Sequence, residues 1–423
     1  MLKIFQFKKK ENWQKIKIQN AKRHQFKAFD TINNVAVKKR HGKKIITADG
    51  EKLIEFASCS YLGLDQDNRV IEAGKSAMDT YGVNFAIART RLRADNLDSL
   101  EEKLSTIFCN SYIALFSSLH ITHLGFFPLL ASSELPSFPI KKNGPVFIMD
   151  KVAHASMQLG RGILEQFGQV KIIDFQDKAA LELEFIDAHS QQKTPITISD
   201  SVVSMCGLVP VAYLFELAEQ YDGYVYLDDA HGTSIYGEKG CGYALEVLGN
   251  VFHPRLILTP SLSKGFGSNM AVLALPTEED MKMVKRFAIP YLFSNPPPTA
   301  CVGAAIAAAD IHLSEELPML QKKLWDNVAL FDEYIKHPTL NKNIESPMRG
   351  VMIGNEDLTI LCAQLLRQKG FFTTAAMYPT VELGKGIIRI ALSALHTKKE
   401  IQKLCGLINM ILDQKQELTQ MVA

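Results

Sequence analysis

Thr259-Pro260-Ser261-Leu262-Ser263-Lys264-Gly265-Phe266-Gly267 is the stretch whose reading decides the fold. The apolar run Leu256 to Thr259 has the length and composition of a strand. It leads into small hydroxyl residues, one lysine, and glycines on both sides of a phenylalanine. Small residues let a bulky ligand approach the backbone, and a partly desolvated lysine amine is what Schiff-base chemistry needs. Taken alone, a surface lysine in a glycine-rich turn has the same signature. A second stretch bears on that choice: Tyr224-Val225-Tyr226-Leu227-Asp228-Asp229-Ala230-His231-Gly232. There an apolar strand ends in a carboxylate, and an imidazole follows three positions later.

Short, β-rich apolar runs continue on both sides. Tyr112–Ser117, Val146–Met149, Val170–Phe175, Ile196–Ser199 and Ala271–Leu275 alternate with helix-period segments such as Leu181–Ala188 and Val211–Tyr221. Alternation of this kind predicts an α/β fold, a largely parallel sheet with helices on both faces. Glu134–Pro145 is a proline-punctuated loop. Pro296-Pro297-Pro298 closes the pattern, and Ala/Leu-rich helices follow to about Tyr334. The rest reads as a smaller α+β unit with a helix near Asp357–Lys369, a strand at Gly386–Leu392 and a helix after Thr397. The expected organisation is therefore residues 1–60 as basic arm and hairpin, 61–298 as the large domain, and 299–423 as linker helices and small domain. Asp49-Gly50 is the turn of a hairpin over Lys44 to Phe56.

The Lys264 and Asp228 stretches together resemble the α-oxoamine synthases, pyridoxal-phosphate enzymes of the aminotransferase-like fold (fold type I). The likeness runs from about Phe56 to His396. It implies Lys264 as the Schiff-base lysine, Asp228 as the partner of the cofactor's ring nitrogen, and His231 as a donor to its phenolic oxygen. By the same resemblance His154 stacks on the ring, Ser204 lies near the phenolic oxygen, and Ser261 binds the phosphate. Lys264, His231, Asp228 and His154 form the implied catalytic group. Pro379-Thr380-Val381, Ile387-Ile388-Arg389-Ile390 and Ser393-Ala394-Leu395-His396 look like the family's late signature. Arg389 then falls on the arginine that holds the amino acid's carboxylate, a task suited to a bidentate guanidinium.

Several positions depart from the family pattern. Ser58-Cys59-Ser60-Tyr61-Leu62-Gly63 carries Cys59 where the family often has a substrate-contacting asparagine. Asn84-Phe85-Ala86-Ile87-Ala88-Arg89 replaces a glycine-rich segment. Ser118-Leu119-His120 replaces the Ser-Gly-aromatic turn whose backbone N–H groups face the phosphate. Main-chain donors at a helix start survive side-chain changes, so the cradle is expected to persist. Asn295, beside Ser294, stands where the family has a threonine lent by a neighbouring subunit. A metal site on Asp228, Asp229 and His231 would need further ligands, and the sequence nearby supplies no such cluster.

Composition sets the frame. The chain has 423 residues, 47% hydrophobic and 22% charged, and no apolar run long enough for a membrane helix. Seven scattered cysteines without a CxxC, and no secretory signal, suit a reduced, cytoplasmic setting. The net charge of +2 hides an asymmetry: residues 1–44 carry +12 and the remainder −10. Such an arm can meet an anionic membrane or an acidic carrier protein, or pack on a neighbouring subunit. No aromatic interleaving favours nucleic acid.

The resemblance thus implies a homodimeric enzyme that condenses an amino acid with an acyl-CoA or acyl-carrier-protein thioester, losing CO2 to give an α-aminoketone. Transamination or aldol cleavage on the same fold is the alternative. A non-catalytic subunit of such a synthase is another, although such subunits tend to lack the lysine.

Overall fold

The computed structural model describes residues 13–422. Seven strands form the central sheet, in the order Tyr112–Phe116, Ala271–Leu275, Leu256–Thr259, Tyr224–Asp228, Thr194–Asp200, Pro145–Asp150 and Gln169–Ile173. Every strand expected from the sequence is present. The sheet is parallel except that Ala271–Leu275 runs antiparallel to both neighbours. Five of the seven strands are buried at every residue, because helices cover both faces, so they read as unbroken apolar runs.

Helices Thr299–His312 and Glu316–Tyr334 lead into a second, antiparallel sheet ordered Thr339–Leu340, Met348–Gly354, Gly386–Ala391, Thr374–Ala376. The last long helix, Lys398–Asp413, starts at a Thr397 capping box closed by Glu400. The expected hairpin forms between Lys44–Thr47 and Lys52–Glu55. The latter strand also pairs in parallel with Phe371–Phe372, which stitches the N-terminal segment to the C-terminal part of the chain.

The basic arm is not extended along its described length. Trp13–Thr31 is a helix and Val37–His41 an edge strand. Arg23, His24 and Lys27 all converge on Asp357, at the start of the helix Glu356–Gln368 of the same chain. A carboxylate in the first helical turn is favoured by the helix dipole, and here it also collects the arm's cations. The basic residues before Trp13 lie outside the described residues. Among the described residues no helix is long and apolar enough to cross a membrane.

Candidate active site

The carboxyl ends of the parallel strands converge on one cavity of about 210 Å³, the position where open α/β sheets bind ligands. Lys264 reaches it from the loop after Leu256–Thr259. That loop folds back on itself: Ser261 bridges to Ala271, and the Leu262 N–H donates to the Met270 carbonyl at 2.9 Å. Leu262 and Phe266, on either side of the lysine, are fully buried and anchor it. Gly267 has φ +85°, and a Cβ there would stand 2.6 Å from the Asp65 nitrogen. Glycine therefore lets the segment after Gly63 close on the lysine loop. Lys264 lines the cavity, and burial, outweighing the charges of Cys59, Asp228 and Asp200, holds its amine below its ordinary range.

Asp228 and Asp200 are register partners at the ends of adjacent strands and both line the cavity. Two buried carboxyls this close do not ionise alike. Burial pushes Asp228 up, but a hydrogen bond from His123, the Lys264 charge and the Ala230 N–H at 2.9 Å outweigh it, and the net shift is downward. Asp200 receives the His154 N–H at 2.8 Å, and burial followed by the Asp228 charge pushes it well above the carboxylate range. Of the pair, Asp228, with the additional donor, holds a negative charge more readily than Asp200.

The opposite wall is the N-terminus of the helix Leu119–Ala131. Ser118 caps it, accepting from the Ile121 N–H at 3.4 Å, and Ser118, Leu119 and His120 all face the cavity. The glycine of the usual turn is absent, yet the helix start survives with its donors. Ser261 lies across from it, with Ser263 Oγ at 2.7 Å. His154 also lines the cavity. It caps the helix Ala155–Leu164, and burial lowers its pKa.

His231 sits behind the cavity wall with Nδ1 2.6 Å from the Tyr61 hydroxyl. Burial holds His231 well below the ordinary imidazole range and Tyr61 well above the phenol range. The phenol therefore donates to Nδ1, and the ring's own proton sits on Nε2.

Arg389 comes from the other sheet, on the strand Gly386–Ala391. The segment before Tyr61 is fastened to that strand's end: Ala391 N–H donates to the Phe56 carbonyl at 2.7 Å, and Ser393 Oγ donates to the Ser60 carbonyl at 2.7 Å. The Ser393–His396 signature thus holds Cys59 against Arg389. The guanidinium Nη2 lies 3.4 Å from Cys59 Sγ and 3.5 Å from Ser204 Oγ. Among the described residues no carboxylate pairs with Arg389. The fold brings eleven of the thirteen sequence-predicted site residues into one neighbourhood; of the other two, Ser294 bonds the Pro290 carbonyl and Asn295 is exposed, and neither lines this chain's cavity.

Two functional residues escaped the sequence reading. Asp200 is one residue beyond the strand expected at Ile196–Ser199. His123 falls three positions after His120, on the same helical face. A second histidine in an otherwise apolar helix is the signal that could have found it.

The class I and II aminotransferase family profile matches residues 141–408. The chain is 30% identical over 366 residues to 8-amino-7-oxononanoate synthase of Coprothermobacter proteolyticus, covering 84% of this chain and 87% of that protein. It is 29% identical over 369 residues to 8-amino-7-oxononanoate synthase 1 of Bacillus subtilis, covering 86% and 89%. The chain belongs to the α-oxoamine synthase family. Serine palmitoyltransferase of S. paucimobilis superposes on it with a TM-score of 0.82 at 19% identity, over 95% of this chain and 98% of that one. The Francisella tularensis 8-amino-7-oxononanoate synthase gives 0.67 at 22% identity, over 86% and 99%. These structures share the fold.

The residues present fit the pyridoxal phosphate that α-oxoamine synthases use. An amine with a lowered pKa, an anionic carboxylate, a capped helix N-terminus with facing hydroxyls, and a histidine all border one cavity.

Proposed function

We propose that this α-oxoamine synthase condenses an amino acid with an acyl thioester in the cavity around Lys264. A carbon–carbon bond forms between the α-carbon and the acyl carbon, the C–S bond breaks to release the thiol, and the α-carboxyl leaves as CO2. The observation that carries the reading is that Lys264 and Asp228 line one cavity while Arg389, which pairs with no carboxylate among the described residues, stands close enough to bear on the Lys264 charge.

Bound pyridoxal phosphate supplies an electron sink for the negative charge that develops at the α-carbon. Lys264 would tether the group and, in its neutral form, take the α-proton; burial, by lowering its pKa from the ordinary lysine value, favours that form. Asp228 would pair with the ring nitrogen, and His154 would cover the ring. The His231 Nε2–H, oriented by Tyr61, would serve the phenolic oxygen, together with Ser204. Helix-start N–H groups at Ser118, Leu119 and His120, together with Ser261, would hold the phosphate. Arg389 holds the substrate carboxylate, and Cys59 shapes the same pocket.

The working unit is a homodimer. Phe287, Ile289 and Phe293 are 57%, 66% and 83% exposed beside Ser294 and Asn295, an apolar face suited to a second copy. Across it Ser294 and Asn295 contribute to the partner's cavity.

Thiol release is the test. Purified protein with pyridoxal phosphate, a panel of amino acids and acyl-CoAs of increasing length should release free thiol only when one amino acid and one acyl range are both present. CO2 should appear in equal amount. Keto acid formed without an acyl donor would make the protein an aminotransferase and overturn the reading.

A further inference from the structure

His123 lies one turn into the helix Leu119–Ala131 and is fully buried. Its Nδ1 stands 2.6 Å from the Tyr226 hydroxyl and its Nε2 3.2 Å from Asp228 Oδ2. Tyr226 and Asp228 are two apart on one strand and project from the same face. His123 spans them from the helix packed on that face. Phe127 stacks on the imidazole at 5.8 Å and Tyr226 meets it edge-on at 5.7 Å, so the ring is held in orientation.

The proton directions follow from the partners. An ionised carboxylate only accepts, so Nε2 carries hydrogen and donates to Asp228. Burial keeps Tyr226 a neutral phenol, free to donate to Nδ1. The chain of bonds runs from Tyr226 through His123 to Asp228 Oδ2, while the Ala230 N–H occupies Oδ1. Asp200 beside it accepts, among the described residues, the His154 N–H alone. Of two facing carboxyls, the one with the additional donor keeps the negative charge.

We propose that His123, locked by Tyr226, is a positioning residue that fixes the Asp228 carboxylate, so that Asp228 meets the ring nitrogen of pyridoxal phosphate as an anion. The inference rests on the function proposed above. His123 does not touch the cofactor in this account; it acts through Asp228.

Two variants of similar polarity separate this role from packing. His123→Gln carries its amide nitrogen at the reach of the imidazole Nε2 and retains the donor. His123→Asn carries it at the level of Nδ1, short of Asp228. Each full-length apo protein is titrated with pyridoxal phosphate, and its thermal midpoint is recorded as the control for folding. His123→Asn should raise the dissociation constant roughly 10–100-fold, the range for losing one hydrogen bond to a charged group. His123→Gln should stay within about 3-fold of wild type on the same scale, and Tyr226→Phe should fall between them. The ring nitrogen of the bound cofactor should titrate at lower pH in His123→Asn than in wild type, because it has lost part of its counter-charge. Equal affinity and equal titration in the Asn and Gln variants would overturn the inference while wild-type binding leaves the parent reading standing. Wild-type protein that binds no pyridoxal phosphate would overturn both.

Discussion

Arg389 Nη2 lies 3.4 Å from Cys59 Sγ, and that contact joins the two parts of the chain at the substrate pocket. A guanidinium with a thiol, a hydroxyl and a thioether as neighbours, and among the described residues no carboxylate, is free to take one from outside. Replacing Arg389 with alanine removes a charge-assisted contact of about 1.5–3 kcal/mol. The amino acid KM should rise roughly 10–150-fold, with a much smaller change in kcat. Steady-state kinetics check this, and an unchanged KM would remove Arg389 from the role.

The same contact acts on the thiol. Burial alone would push Cys59 up, but the Arg389 and Lys264 charges prevail and its pKa lies below the ordinary thiol value. Exposed Cys206 is shifted the other way, by burial and then by Asp150. Alkylation of Cys59 by iodoacetamide should therefore reach its plateau at lower pH than that of Cys206. Saturating amino acid, by drawing Arg389 to its carboxylate, should slow it. Peptide mass mapping across a pH series reads both.

His396 sets an acid limit on stability. Its ring stacks on Phe56 at 3.7 Å, Nδ1 accepts the Ser393 N–H at 3.1 Å, and Nε2 donates to the Glu55 carbonyl at 3.0 Å. Burial, then the Lys43 charge, lower its pKa from 6.5 to about 3. A histidine depressed on folding contributes fully above its unfolded value and loses that contribution as pH falls toward its folded value. By pH 5 the loss should be roughly 2 kcal/mol. Urea midpoints at pH 7 and pH 5 should fall further apart for wild type than for His396→Gln.

Gly267→Ala should destabilise the protein by ~1–2 kcal/mol from the left-handed backbone alone. The Cβ would also meet the backbone of Leu64 and Asp65 at 2.6–2.7 Å. A lowered thermal midpoint together with weaker pyridoxal phosphate binding is expected, since the strain falls on the lysine loop. An unchanged midpoint would mean the loop has room to move.

Much of the fold was legible because the central strands are buried on both faces, which leaves their apolar β-branched composition undiluted. Lys264, Asp228 and His231 were singled out because their two stretches together resemble the α-oxoamine synthases; taken one by one, a lysine in a glycine-rich turn or a carboxylate at a strand end has an ordinary structural reading. Asp200 was missed by one residue, since a strand ending in a buried carboxyl resembles a strand followed by a turn. His123 was missed for a different reason: its partners are 103 and 105 residues away, and only the packing of a helix on the sheet brings them together. The contacts of the basic arm within its own chain were not legible either: its charge run gave no sign that Asp357, more than 300 residues on, meets Arg23, His24 and Lys27.

The most direct measurement is to reconstitute the purified protein with pyridoxal phosphate, reduce it with borohydride, and map the modified peptide by mass spectrometry. The account predicts one cofactor mass fixed on Lys264, absent in Lys264→Ala. A folded protein that takes up no label, or takes it at another lysine, would contradict it.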